Sequence, residues 1–277
     1  MLEHGDQRFL NGDGKQAFVG PTQSVRVIEL REAGRDRFVP FDPTLLLRFP
    51  GLTKLDLQSP FNINTLRVVG QIHNLEHVCL TGPLSIAPIS KRGLDCLRQL
   101  TKLQSLEIRH CSDSILEELP PIPTLCILRI SGGGSVTSYG LRYLEKFPRL
   151  QELTVAGTDL TDAGIYRVVE LKHLTLLDIG GTKITDSGMA IVSKLQELTR
   201  LQVDFATITD RGVSHLAGCP ALEKVVLCKT KITDASVPIL EGMPTLEDAW
   251  VEGTNITPEG IERLKDHFAK KKSSSKN

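Results

Sequence analysis

Leu150-Gln151-Glu152-Leu153-Thr154-Val155 leads into Thr158-Asp159-Leu160-Thr161-Asp162-Ala163-Gly164-Ile165, and both blocks come back. The first returns every 24 residues as Leu174/Leu177/Ile179, Leu198/Leu201/Val203, Leu222/Val225/Leu227 and Leu246/Ala249/Val251. The second returns around Thr185-Asp186, Thr209-Asp210, Thr233-Asp234 and Thr257-Pro258. Upstream the frame persists at Leu125/Leu128/Ile130, Leu103/Leu106/Ile108, Leu75/Val78/Leu80, Leu52/Leu55/Leu57 and, most weakly, Val25/Ile28/Leu30. From the N-terminus those earlier spacings are 27, 23, 28, 22 and 25 residues, so the chain carries about ten units, the first five irregular.

The LxL core of each unit alternates with period two, which sends one set of side chains inward and the other outward. A helix-like return follows, with Ile165, Val168 and Val169 at helical spacing. Thr161 is placed to cap that helix by accepting from a first-turn amide, with Asp162 favoured by the helix dipole. Pro258 replaces the aspartate in the last unit, as the first helical position tolerates, and Asp42-Pro43 looks like the same device. Ser236 replaces the glycine three places after the cap, so that position needs a small side chain more than a positive φ. Thr158, Thr182, Thr230 and Thr254 are expected to hydrogen-bond loop backbone from inside, and Ala206 breaks the series. A single unit cannot bury its own apolar face, so the units must stack into one array.

This pattern resembles the leucine-rich repeat family, and most closely its cysteine-containing subfamily with units LxxLxLxx(C/N/T)x(I/L)TDxGL. That subfamily occurs in F-box-type substrate receptors and bacterial repeat proteins. The resemblance covers roughly residues 25–265 and implies a right-handed α/β solenoid, a horseshoe with a parallel β-sheet on its concave face and short helices on its convex face. The expected organisation is an irregular N-terminal cap over 1–24, repeats over 25–257, a C-terminal capping helix over 258–269 and a disordered basic tail over 270–277. Phe9, Leu10, Phe18 and Val19 are the apolar anchors of the N-terminal segment.

The 277 residues carry 33 basic and 33 acidic side chains, a balance that argues against nucleic-acid binding. No apolar run reaches the roughly 18 residues of a membrane span, and the opening Met1-Leu2-Glu3-His4 is too polar for a secretory signal. A cytoplasmic monomer is expected. The six cysteines form no CxxC pair and suit a reducing compartment. His77-Val78-Cys79 brings no third metal ligand, and no GxSxG, Walker or HExxH motif occurs. The glycine run within Ser131–Ser135 is expected to be a widened turn. No cofactor or metal is expected.

Function is therefore sought on the outward strand positions. In register they form three columns, which place Glu107 beside Arg129 as a cross-strand ion pair, with Arg109 adjacent. The expected partner-binding residues are Arg129, Arg200, Asp204, Lys224, Val226, Asp248, Trp250 and Glu252, gathered mostly around the sole tryptophan. Trp250 could alternatively cover the last strand's edge against the terminal helix. The expectation is non-catalytic recognition of a protein partner, an implication of the family resemblance. An inhibitor or regulator that caps an enzyme is the first alternative. An enzyme using Asp178, Asp204 and Cys228 is the remote one.

Overall fold

The computed structural model describes residues 27–30, 42–57, 63–81, 91–131 and 135–274. The proposed N-terminal cap at 1–24, the outward positions Arg31 and Gln58, the glycines at 132–134 and the tail residues 275–277 lie outside them. Ten strands form one sheet in sequence order, every neighbouring pair parallel. They are β1 (Val27–Leu30), β2 (Lys54–Leu57), β3 (His77–Thr81), β4 (Ser105–Arg109), β5 (Ile127–Ser131), β6 (Glu152–Thr154), β7 (Leu176–Asp178), β8 (Arg200–Gln202), β9 (Lys224–Val226) and β10 (Asp248–Trp250). Each strand-to-strand return carries short α- or 3-10-helical turns. The α-helices are α1 (Ile63–Val69), α2 (Lys91–Leu94), α3 (Asp113–Glu118), α4 (Asp162–Val168), α5 (Asp186–Val192), α6 (Asp210–Ser214), α7 (Val237–Glu241) and the long α8 (Pro258–Ser274). This is the expected α/β leucine-rich repeat solenoid.

The core is a single cluster running from Leu46 to Phe268 between sheet and helices. In the fourth-from-last unit Leu177, Ile179, Ile184, Met189 and Val192 are all fully buried. Each such side chain is worth about 1.5–3 kcal/mol relative to exposure. The unit has no other way to hide these residues than against its neighbours, which is why the array folds as one body.

Polar groups inside the turns are satisfied as expected. Thr158, Thr182, Thr230 and Thr254 each donate their hydroxyl at 2.7 Å to the carbonyl three residues back, those of Val155, Ile179, Leu227 and Val251. Asp42 caps its turn by accepting from the Thr44 amide at 3.0 Å, with Pro43 in the first position.

The aspartate of the TD motif does something that its helix alone does not reveal. Its carboxylate reaches into the next unit and accepts both the backbone N–H and the hydroxyl of the following threonine. Asp162 holds Thr185 at 2.8 and 2.6 Å, Asp186 holds Thr209 at the same two distances, and Asp210 holds Thr233 at 2.8 and 2.7 Å. The series starts with Asp113 on Thr137 and ends with Asp234 on Thr257. Ser138 fills one rung, accepting from the Thr161 amide at 3.1 Å. Thr161 is thereby corrected as a side-chain cap: its backbone has the extended cap geometry, but its hydroxyl meets Ser138 rather than its own helix. Thr185, Thr209 and Thr233 do accept from their first-turn amides.

The ladder also explains the small residue that follows. A Cβ on Gly188 would collide with the Asp162 carboxylate, and one on Gly212 with that of Asp186. None of Gly140, Gly164, Gly188, Gly212 and Gly260 has positive φ, so close approach is what selects glycine there. Ser236 is accepted because its hydroxyl donates to the Asp210 carboxylate.

The terminal helix extends beyond the expected boundary at residue 269. It continues to Ser274, so residues 270–274 are helical rather than part of a disordered tail. Two of the tail lysines have partners that hold them: Lys271 Nζ donates to the carbonyls of Met243 and Leu246 at 3.1 and 2.7 Å, and Lys272 Nζ pairs with Asp248 at 2.6 Å. Leu264 and Phe268 are buried in the end of the core.

Candidate interaction surface on the open sheet

Strand register brings the outward residues into the columns expected from the repeats. The first runs without a slip from Lys54 through His77, Ser105, Ile127, Glu152, Leu176, Arg200 and Lys224 to Asp248. The middle one runs from Asp56 through Cys79, Glu107, Arg129, Thr154, Asp178, Gln202 and Val226 to Trp250. Adjacent positions in a column are one strand spacing apart, about 4.8 Å.

Ion pairing in the middle of the sheet differs from expectation. Glu107 turns to Arg109 on its own strand at 2.7 Å, and Arg129 reaches diagonally to Glu152 at 2.8 Å. Side chains on one face two residues apart, or on a diagonal, are within reach of a long arginine, and here these partners replace the directly opposite pair. Arg129 is thus neutralised on β5, with β6 and β7 between it and the other candidates.

At the C-terminal end a groove of about 430 Å³ opens over β8–β10. Arg200, Lys224, Val226 and Trp250, four of the expected residues, line it, together with Gln202 and Cys228. Trp250 is 40% exposed and lines the groove. Asp248, Asp204 and Glu252 flank the groove without lining it. Asp248 is taken by Lys272, and Glu252 accepts the Cys228 thiol at 3.1 Å. That bond lowers the Glu252 carboxyl, while burial, with Glu252 accepting from it, raises the Cys228 thiol. A thiol held protonated in this way is a poor nucleophile.

Asp178 and Asp204 sit across Gly180. The Gly180 N–H donates to Asp178 at 3.1 Å, and a Cβ on Gly180 would strike the Asp204 carboxylate. Burial raises the Asp178 carboxyl, and neighbouring Asp204 adds to that, against the lowering by the Gly180 bond. Among the described residues no group of three His, Cys, Asp or Glu side chains gathers to hold a metal ion.

Phe205 and Lys229 were absent from the expected surface. Both have left-handed backbone, φ 57° and 55°, in the position where other units carry Gly157, Gly181 and Gly253. Phe205 is 58% exposed, and Lys229 Nζ lies 4.6 Å from the centre of its ring. A phenylalanine in a glycine column was the available signal, since a side chain there costs about 1–2 kcal/mol of backbone strain.

The family described as Leucine Rich repeat matches residues 170–190, the stretch that follows α4, crosses β7 and enters α5. A comparison with curated proteins finds no match. Among solved structures, an internalin (inlF) from Listeria monocytogenes is similar, with a TM-score of 0.58 at 18% identity; 87% of this chain is covered and 66% of that one, so the chain spans about two-thirds of that internalin. Internalin C2 from the same organism aligns over 85% of this chain and 82% of that one, at 17% identity and a TM-score of 0.44. No helix among the described residues is long and apolar enough to cross a membrane. A sheet of ten parallel strands built from recurring leucines, with a match to the Leucine Rich repeat model in its most regular part, gives the chain the fold of a leucine-rich repeat protein.

Proposed function

We propose that the chain is a non-catalytic recognition protein that binds a protein partner on the open sheet, with Arg200, Lys224, Val226 and Trp250 at the centre of the contact and Asp204, Asp248 and Glu252 around it. The observation that carries this is the groove over β8–β10, where a partly exposed tryptophan and valine lie beside two basic side chains on a rigid sheet. Aromatic and arginine anchors in a concave, preorganised surface are the composition of binding hot spots. The protonated Cys228 thiol and the glycine-separated Asp178 and Asp204 supply no activated nucleophile, which supports recognition over catalysis. Cytoplasmic residence fits six cysteines that are all free thiols, and a monomeric state is part of the same proposal. Membership of the cysteine-containing subfamily fits the TD-x-G blocks and the buried Cys219 at a helix end.

The test is affinity capture with mass spectrometry using the wild-type chain and a Trp250→Ala/Arg200→Ala variant. The variant should lose the wild-type partner while keeping its circular dichroism spectrum and melting temperature. Retention of that partner by a folded variant removes the groove from the reading.

A further inference from the structure

We infer that the groove over β8–β10 is built for an extended acidic segment of a partner protein, one that presents two carboxylates and a large apolar side chain; this rests on the proposed binding role. The sign comes first. Two lining side chains are cations and none is an acid. Arg200 and Lys224 are neighbours in one column, and neither forms an ion pair with a described residue. The carboxylate best placed to neutralise Lys224 is Asp248, next in the column, and Lys272 of α8 already holds it at 2.6 Å. Glu252 keeps its charge as it accepts the Cys228 thiol, and it and Asp204 stand outside the lining of the groove.

The contrast within the sheet sharpens this. Arg109 and Arg129, on β4 and β5, each have a glutamate partner within the chain, at 2.7 and 2.8 Å. Over β8–β10 the outward cations Arg200 and Lys224 face a groove without such a partner among the described residues. An arginine guanidinium accepts a carboxylate through two parallel bonds, and a lysine beside it supplies a second point charge.

The floor sets the other half of the specificity. Val226 and Trp250 are adjacent in the middle column, so apolar surface lies next to the cations rather than beyond them. A groove of about 430 Å³ lies in the range of ligand-sized pockets and is large enough for one bulky side chain. Alternate residues of an extended strand are about 6.6 Å apart on one face, a step that long glutamate, arginine and lysine side chains can match to the column spacing. The occupant is therefore acidic at one edge and apolar over the floor.

Trp250 is the protein's only tryptophan, so its emission reports this site without a label. The full chain is titrated with a short peptide of alternating glutamate and phenylalanine, with an aspartate–leucine counterpart, and with the glutamate peptide carrying lysine at each acidic position. The expected result is a saturable change in Trp250 emission with both acidic peptides, weakened by added salt, and little with the basic one. Arg200→Glu/Lys224→Glu should weaken acidic-peptide binding by about tenfold or more, because like charges then face each other; Arg200→Gln/Lys224→Gln serves if the reversed variant does not fold. Equal response to the basic peptide, no response to either acidic peptide, or unchanged binding by the folded variants overturns the inference. Should the captured partner still depend on Trp250 and Arg200 while acidic peptides do not bind, the chemistry fails and the site stands. If capture is indifferent to both residues, the binding reading fails as well.

Discussion

Among the described residues, the two halves of this solenoid are joined by different contacts. From α3 onward an aspartate or serine in each unit grips the threonine of the next, from Asp113 on Thr137 to Asp234 on Thr257. The units between β2 and β4 stack through leucines and strand pairing, with four- and five-residue strands where β6–β10 have three. Over β6–β10 the side-chain ladder accompanies three-residue strands and a repeat length that stays at 24, whereas β4 and β5 combine the Asp113–Thr137 rung with five-residue strands and spacings of 22 and 25. The halves also differ on the open face, with ion pairs closed internally at β4 and β5 and cations left open over β8–β10.

The largest effect should come from breaking the shared core inside the ladder. Leu177→Ala removes a fully buried side chain from the middle of the array and should cost about 2–5 kcal/mol in denaturant unfolding. A next step down is Gly212→Ala, whose new Cβ would press on the Asp186 carboxylate. That substitution should cost about 1–3 kcal/mol as overpacking, whereas Gly157→Ala, with open space but φ 67°, tests backbone strain alone. Removing a rung with Asp186→Ala deletes two bonds to Thr209 and should cost about 1–3 kcal/mol. A melting temperature unmoved by Asp186→Ala, measured beside an equivalent exposed-acid control, would leave the ladder without energetic weight.

Acid separates two kinds of aspartate. Burial pushes the Asp210 carboxyl up, but hydrogen bonds from Ser236 and Thr233 outweigh it and hold the group below its ordinary 3.8. A depressed carboxyl stabilises the fold above its unfolded value, and that contribution is lost as pH falls below about 3.8 through the folded value. Ser236→Ala should therefore lower stability at neutral pH and flatten the acid-unfolding slope. Asp178 has the opposite sign, because burial raises it: its charge opposes folding at neutral pH. Asp178→Asn should raise the melting temperature slightly at pH 7 and lose that advantage as the medium becomes acidic. The smallest change is His110→Gly, at a left-handed position with φ 59°. Strain relief should exceed the added chain entropy by a few tenths of a kcal/mol.

Much of this was legible in the sequence because it depends on spacing along the chain. Recurring leucines placed the ten strands, and counting outward residues from Leu153 or Leu201 predicted the column neighbours that the register now shows. The buried threonines were readable because a polar residue inside a turn has few partners other than nearby carbonyls. Ion-pair partners were not, since Glu107 can reach both Arg109 and Arg129 and only side-chain geometry chooses. Phe205 is not legible in this way, because what sets it apart is a backbone angle.

Periodicity thus determined the solenoid, the order of its strands and the face on which each residue stands, all consequences of a local repeat that can bury its leucines in only one way. Tertiary structure alone decided which charges are spent on one another and which remain open. Asp162 meets Thr185, Lys272 meets Asp248 and Arg200 meets no acid among the described residues because these distances arise between units and elements, where small differences in approach select one partner among several of equal sequence plausibility.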